Sequence, residues 1–241
     1  MTPPQHTRPA SPARGILARP LDALVFLLPL VVFYEAASLA HPERVIAFDL
    51  MRKFFELFGP AGRWTPAMAV VAILLATHAA SGQKWTVHLD RVGLMYPEAV
   101  ALALPLLALN WALPLQAASE AGPSLIDELA TGVGAGVYEE LVFRLIFISV
   151  GVMIGVDLLR LGRGAVAVAV ILLSSLLFAG HHHAPIGAEP FDPASFGFRV
   201  LAGGYLAVIF WYRGYGPAAG CHAGYNVGLV VLDAIMAGPS G

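Results

Sequence analysis

The chain is predicted to be all-α: a polytopic transmembrane helical bundle of about seven spans, plus one interfacial amphipathic helix. Three observations carry this. Of 241 residues, 58% are hydrophobic and only 12% charged, whereas soluble domains usually carry about 25% charge. Mean hydropathy is +0.73. The apolar residues also run in long stretches of Ala, Leu and Val, near the ~20 residues that a membrane helix needs. A membrane barrel would instead show alternating segments of about ten residues.

Residues 1–20 are Pro-rich and carry Arg8, Arg14 and Arg19 without an acid. They read as a disordered basic tail on the cytoplasmic side. The run that follows is too long for a secretory signal and shows no small-residue cleavage site. Residues 21–241 form one integral-membrane domain. Its apolar segments fall at about 21–40, 65–81, 97–115, 124–158, 164–183, 196–212 and 216–238.

Between the first two, Arg44 to Phe58 mixes charged and apolar residues at roughly helical spacing, which fits a helix lying in the interface. The 65–81 segment is short for a span. The fourth, as a straight helix, would reach about 50 Å against a hydrocarbon core of about 30 Å. It must either protrude, with Asp127 and Glu128 in water, or bend near Gly132-Val133-Gly134-Ala135-Gly136. Glycines there also permit close approach of another helix.

Lys/Arg placement supports a cytoplasmic N-terminus. Lys84 and Arg91, Arg160 and Arg163, and Arg213 fall on one side, whereas 116–123 and 184–195 have no Lys or Arg. The 41–64 loop, with Arg44, Arg52, Lys53 and Arg63, runs against the trend. No strongly basic surface for nucleic acid is present. The single cysteine, Cys221, excludes an internal disulfide, and no zinc-finger spacing occurs. No internal repeat supports an inverted-repeat transporter.

Against this apolar background, Tyr138-Glu139-Glu140-Leu141-Val142-Phe143-Arg144 stands out. A charge at membrane depth costs about 2.5–3.5 kcal/mol on insertion scales. Such groups pair, face a wet cavity or do chemistry. Glu140 and Arg144 are i and i+4, acid first, the favourable order for a pair on one face. Glu139 is rotated from Glu140 by about 100°. It is therefore the carboxylate left to project elsewhere, suited to taking and returning a proton. The bland alternative is one buried ion-pair network.

Two further sets accompany it. Phe178 and His182, in Phe178-Ala179-Gly180-His181-His182-His183, share a face if the fifth helix persists. The alternative is a histidine cluster at the membrane surface. His222 and Asn226 are again i and i+4, and two donors in a dry site make an oxyanion hole. Alone, they read equally as helix–helix hydrogen bonds. Among other polar residues, Glu35 is read as a pairing or cavity-lining residue and His78 and Asn110 as interhelical hydrogen bonders. Tyr225 and Trp211 are read as packing or anchoring residues.

Glu-Glu-x-x-x-Arg, Phe-x-x-x-His and His-x-x-x-Asn, in that order on successive membrane segments, resemble the CAAX-protease and bacteriocin-processing (CPBP, Abi) family, the type II CAAX endopeptidases. The resemblance covers about 124–238, the protease-like core. It implies an intramembrane glutamate-dependent endopeptidase. Glu139 and His182 would activate water, His222 and Asn226 would stabilise the oxyanion, and Glu140, Arg144 and Phe178 would support the site.

No cofactor is expected. Because members have also been labelled metalloproteases, zinc stays open, with Glu139, His182 and His222 as a sufficient ligand set. The implied partners are a peptide or protein substrate, lipidated or not, and membrane lipids; no nucleic acid is expected. The short loops and basic tail suggest a bacterial plasma membrane. Two other classes would also explain buried charges: a non-catalytic immunity or scaffold protein, and a proton-coupled transporter. The triple histidine leaves open whether His181, His182 or His183 faces the site. Counted along the spans, His182 and His222 fall toward opposite faces.

Overall fold

The structure, a computed structural model, describes residues 19–42, 62, 64–113, 124–187 and 189–237. The basic tail before residue 19 and the proposed interfacial helix at 44–58 lie outside the described residues. So do Arg44, Arg52, Lys53 and Arg63, and the segment 116–123.

Among the described residues the chain is helical and has no strand; its one β-type contact is an isolated bridge between His183 and Glu189. We number the helices α1 (Pro20–Ala40), α2 (Thr65–Ala80), α3 (Leu89–Ala112), α4 (Leu125–Leu158), α5 (Arg163–Gly180), α6 (Pro193–Arg213) and α7 (Tyr215–Ala237). Six are long and apolar enough to cross a membrane, and α2 is the shorter seventh. Leu28, Val32, Leu104, Leu172, Leu173, Val208 and Ile235 face outward, and such side chains belong against lipid tails.

The helix starts follow local chemistry. Pro20 opens α1, and Asp192 caps α6 by accepting from the Ser195 N–H. Ser124 and Asp127 form a reciprocal capping box on α4. Helix α3 begins at Leu89, eight residues before the predicted start, and carries Pro97 and Pro105 inside it. Membrane helices tolerate such prolines when neighbours satisfy the freed backbone groups.

Helix α4 neither breaks at Gly132–Gly136 nor exposes Asp127. It runs on through that segment and contains two wider π-type turns, at Leu141–Ile146 and Met153–Leu158. Asp127 is fully buried and pairs with His41 at 2.6 Å, tying the end of α1 to the start of α4.

The glycines of α4 serve the other expected purpose, close helix approach. A Cβ on Gly136 would lie 2.6 Å from the Ala223 Cα, and one on Gly132 would lie 2.9 Å from the Asn226 Cβ. Small residues let α4 and α7 meet backbone to backbone. Farther along, Gly151 and Gly155 receive Val170 and Val166 of α5. These contacts fix two antiparallel pairings, α4 with α7 and α4 with α5. Phe26, Leu27, Leu141, Leu206 and Phe210 fill the space between the helices.

A buried glutamate ringed by histidines

The site is assembled on α4 where α5 ends and α7 has made about two turns. Helix α5 has 18 residues, roughly 27 Å. Ser174 of α5 sits level with Phe143, donating its hydroxyl to the Phe143 carbonyl at 2.7 Å. The helix therefore stops beside Glu139, well short of the N-terminal end of α4. His222 lies seven residues into α7, about 10 Å from its start. A short α5 and a deep position in α7 bring His182 and His222 to one depth. The conflict between opposite faces disappears without any helix breaking.

Glu140 is fully buried and holds two partners through Oε1. The Arg144 Nη1 lies 2.9 Å away and the His222 Nδ1 also 2.9 Å away. The arginine approaches off its N–H direction, making an ion pair without an aligned hydrogen bond. Arg144 is itself fully buried. Its Nη2 donates to the Gly203 carbonyl of α6 at 3.1 Å, and its guanidinium lies 4.3 Å from the centre of the Phe178 ring. A Cβ on Gly203 would crowd Phe178 and Ser175. The missing side chain thus lets α6 present its carbonyl to the arginine.

Glu139 points elsewhere, as the helix-face argument expects. Its Oε1 is 3.5 Å from the His181 Nε2 and 3.9 Å from the His182 Nε2. Its Oε2 has no hydrogen-bond partner and lies 3.9 Å from the His222 Nε2. The Nδ1 atoms of His181 and His182 both contact the Phe178 carbonyl, at 2.5 and 2.9 Å. A carbonyl only accepts, so in each ring Nδ1 carries a proton and Nε2 is the atom turned toward Glu139. The same logic applies to His222, whose Nδ1 donates to Glu140. Three Nε2 atoms thus converge on one carboxylate. If every ring were neutral, all these facing atoms would be acceptors, so the cluster calls for a proton, a water or a cation among them.

His182 stands two residues beyond α5, and burial pushes its imidazole down to about 4, against the opposite pull of the Glu139 carboxylate.

The structure thus gathers Glu139, Glu140, Arg144, Phe178, His182 and His222 into one place. His181 joins them, closer to Glu139 than His182 is. His183 turns away, with its Nδ1 on the Pro190 carbonyl at 3.1 Å and its Nε2 near Arg199. Helix α5 ends at Gly180, and the His182 ring folds back on the last turn at 5.3 Å from the Phe178 ring. Asn226 spends one amide N–H on the Gly132 carbonyl at 3.0 Å, across the α4–α7 contact. Glu35 accepts from the Tyr138 hydroxyl at 2.6 Å, and Asn110 accepts from Tyr225 at 3.0 Å, as an interhelical bonder should. His78 differs: it is buried, yet neither ring nitrogen has a hydrogen-bond partner.

A metal ion would find donors here. One atom each from Glu139, His181 and His182 lie within 4.8 Å of one another. Both histidines are oriented by a backbone carbonyl, as metal-bound histidines usually are. His222, in the set expected from the sequence, turns its Nε2 to the other oxygen of Glu139 at 3.9 Å.

Fold and site together define a polytopic membrane protein with a glutamate–histidine centre buried among its helices. Residues 122–228 match the model of the Rce1-like type II CAAX prenyl endopeptidases, so the likeness to that CAAX protease family lies in this stretch. The match includes every residue of the three motifs. No curated protein and no solved structure matches the chain.

Proposed function

We propose that the protein hydrolyses a peptide bond within the membrane by a water activated between Glu139 and His182. The observation that carries this is the unpartnered Oε2 of a buried glutamate encircled by three imidazole Nε2 atoms. In this reading the carboxylate takes a proton from water as its oxygen bonds the scissile carbonyl carbon. The carbon–nitrogen bond then breaks, and Glu139 returns the proton to the leaving amine.

His222 serves the oxyanion. Its Nδ1 rests on Glu140, and that carboxylate stabilises an imidazolium whose Nε2–H can donate to the developing charge. Asn226 retains a second amide N–H for the same oxygen. Arg144 balances Glu140 and fixes it by its own contacts to Gly203 and Phe178. Were a zinc ion present, Glu139, His181 and His182 would hold it and it would supply Lewis-acid lowering of a bound water's pKa.

The substrate class is a membrane-associated peptide or protein, cleaved as in CAAX-type C-terminal processing or a related maturation, with any lipid anchor resting in the surrounding bilayer. The test is purified Glu139→Gln and Glu139→Ala protein with a library of peptides, some carrying a prenylated C-terminal cysteine. Both variants should stay folded and lose cleavage. Cleavage at the unaltered rate by either would remove Glu139 from the reaction.

A further inference from the structure

A second polar cluster lies at the start of α1. A cavity of about 250 Å³ opens where the start of α1, the end of α2 and the segment before α3 meet. Arg19, Asp22, His78, Lys84, Thr86 and His88 line it. Asp22 accepts from the His88 backbone N–H at 3.0 Å and stands 3.5 Å from Arg19. The Arg19 Nη1 contacts the His88 ring at 2.6 Å. One acid thus faces two permanent cations and two imidazoles.

His78 gives the cluster its direction. It is 2% exposed, and both ring nitrogens lack a hydrogen-bond partner. A neutral imidazole always carries one N–H, and leaving it buried and unanswered is unfavourable. A ligand supplying acceptor oxygens and negative charge would answer His78, Arg19 and Lys84 at once. The first turn of α1 contributes its positive dipole end on the same side.

We infer that this cavity binds a phosphate group, the class of ligand presented by an anionic phospholipid headgroup or a soluble phosphate ester. Its place favours the first. Gly216 at the start of α7 packs on Ala23 of α1 and Met95 of α3, so these helix ends share one side of the bundle. Arg213, paired with Glu98, and Arg160 and Arg163, at the junction of α4 and α5, belong to that same side. A basic pocket between helices at such a surface is how headgroups are held. The inference stands apart from the catalytic reading, because no residue of the cavity touches Glu139 or its partners.

The test uses full-length protein in a neutral detergent. Short-chain phosphatidylglycerol, short-chain phosphatidylcholine and glycerol 3-phosphate are titrated separately. Binding is read by native mass spectrometry and by Trp85 emission, because the Trp85 ring stands 4.6 Å from His78. Phosphatidylglycerol should bind more tightly than phosphatidylcholine. Arg19→Gln, Lys84→Gln and His78→Phe should each weaken it by about tenfold, the scale of one charge-assisted hydrogen bond. Glycerol 3-phosphate binding with equal strength and the same variant losses would make the ligand a soluble ester and still support the site. Equal affinity for the two lipids, or no loss in Lys84→Gln, overturns it. Lys84 lies in an exposed turn, so that variant decides the matter even if Arg19→Gln fails to fold.

Discussion

Replacing Gly136 by alanine should damage catalysis more than stability. The added methyl would lie 2.6 Å from the Ala223 Cα and 2.7 Å from its Cβ. Carbon contacts settle at about 3.5–4.0 Å, so α4 and α7 must part by about 1 Å. The residue just before Ala223 is His222, whose Nδ1 holds Glu140 at 2.9 Å. Opened by that amount, the pair stands near 3.9 Å, beyond hydrogen-bond reach. Overpacking of this kind costs about 1–3 kcal/mol, which a folded bundle can survive. A 1 Å displacement of catalytic groups costs about 100-fold in rate. The assay is kcat on a cleaved peptide beside the thermal transition in detergent. Gly164→Ala is the control, since a methyl there meets nothing within 4 Å. A Gly136→Ala enzyme with unchanged kcat would refute the claim that this helix contact sets the site.

Arg144→Met should destabilise the protein by about 3–5 kcal/mol, because it leaves Glu140 buried without its cation; denaturant unfolding measures it, and a loss under 1 kcal/mol would mean the pair is incidental. Arg144→Lys should recover little, as an ammonium cannot both pair with Glu140 and reproduce the planar guanidinium against Phe178. Among the histidines, His181→Ala and His182→Ala should both lower kcat, whereas His183→Ala should spare it and loosen the loop held through Pro190 and Arg199. An active His182→Ala with an inactive His181→Ala would transfer the base role to His181. Exhaustive chelation should leave cleavage intact, with no stoichiometric metal in elemental analysis; loss of activity that zinc restores would instead assign a metal to Glu139, His181 and His182.

Helix positions were the most legible part of the chain, since a membrane span needs many consecutive apolar residues and leaves a strong signal. The predicted 21–40, 65–81 and 124–158 differ by one residue at an end from the observed helices. The third span misled because Pro97 looks like a boundary, whereas in a bundle it sits inside a helix. Asp127 misled for a related reason: sequence shows an acid near a helix start but not the His41 that arrives from α1 to bury it. The different directions taken by Glu139 and Glu140 followed from helix rotation alone. The choice among three histidines did not, because it depends on α5 ending at Gly180 and on where the freed Phe178 carbonyl points.

That carbonyl links the fold to the chemistry. By taking the Nδ1 protons of His181 and His182 together, it turns two basic Nε2 atoms toward the carboxylate that has least compensation. Glu140, by contrast, receives both Arg144 and His222 on one carboxylate oxygen. Two adjacent glutamates on one helix therefore occupy opposite electrostatic situations. One is anchored by a fixed cation. The other is surrounded by the imidazoles of His181, His182 and His222. A purely structural ion-pair network would have no use for that asymmetry, since it would place its cation between the two carboxylates. Arg144→Met combined with Glu140→Gln distinguishes the cases. If the network is only structural, removing both charges restores stability and nothing else is lost. If Glu140 sustains a charged His222, the double variant regains stability while cleavage stays at least tenfold down. A stable double variant with full activity would sink the division of roles argued here.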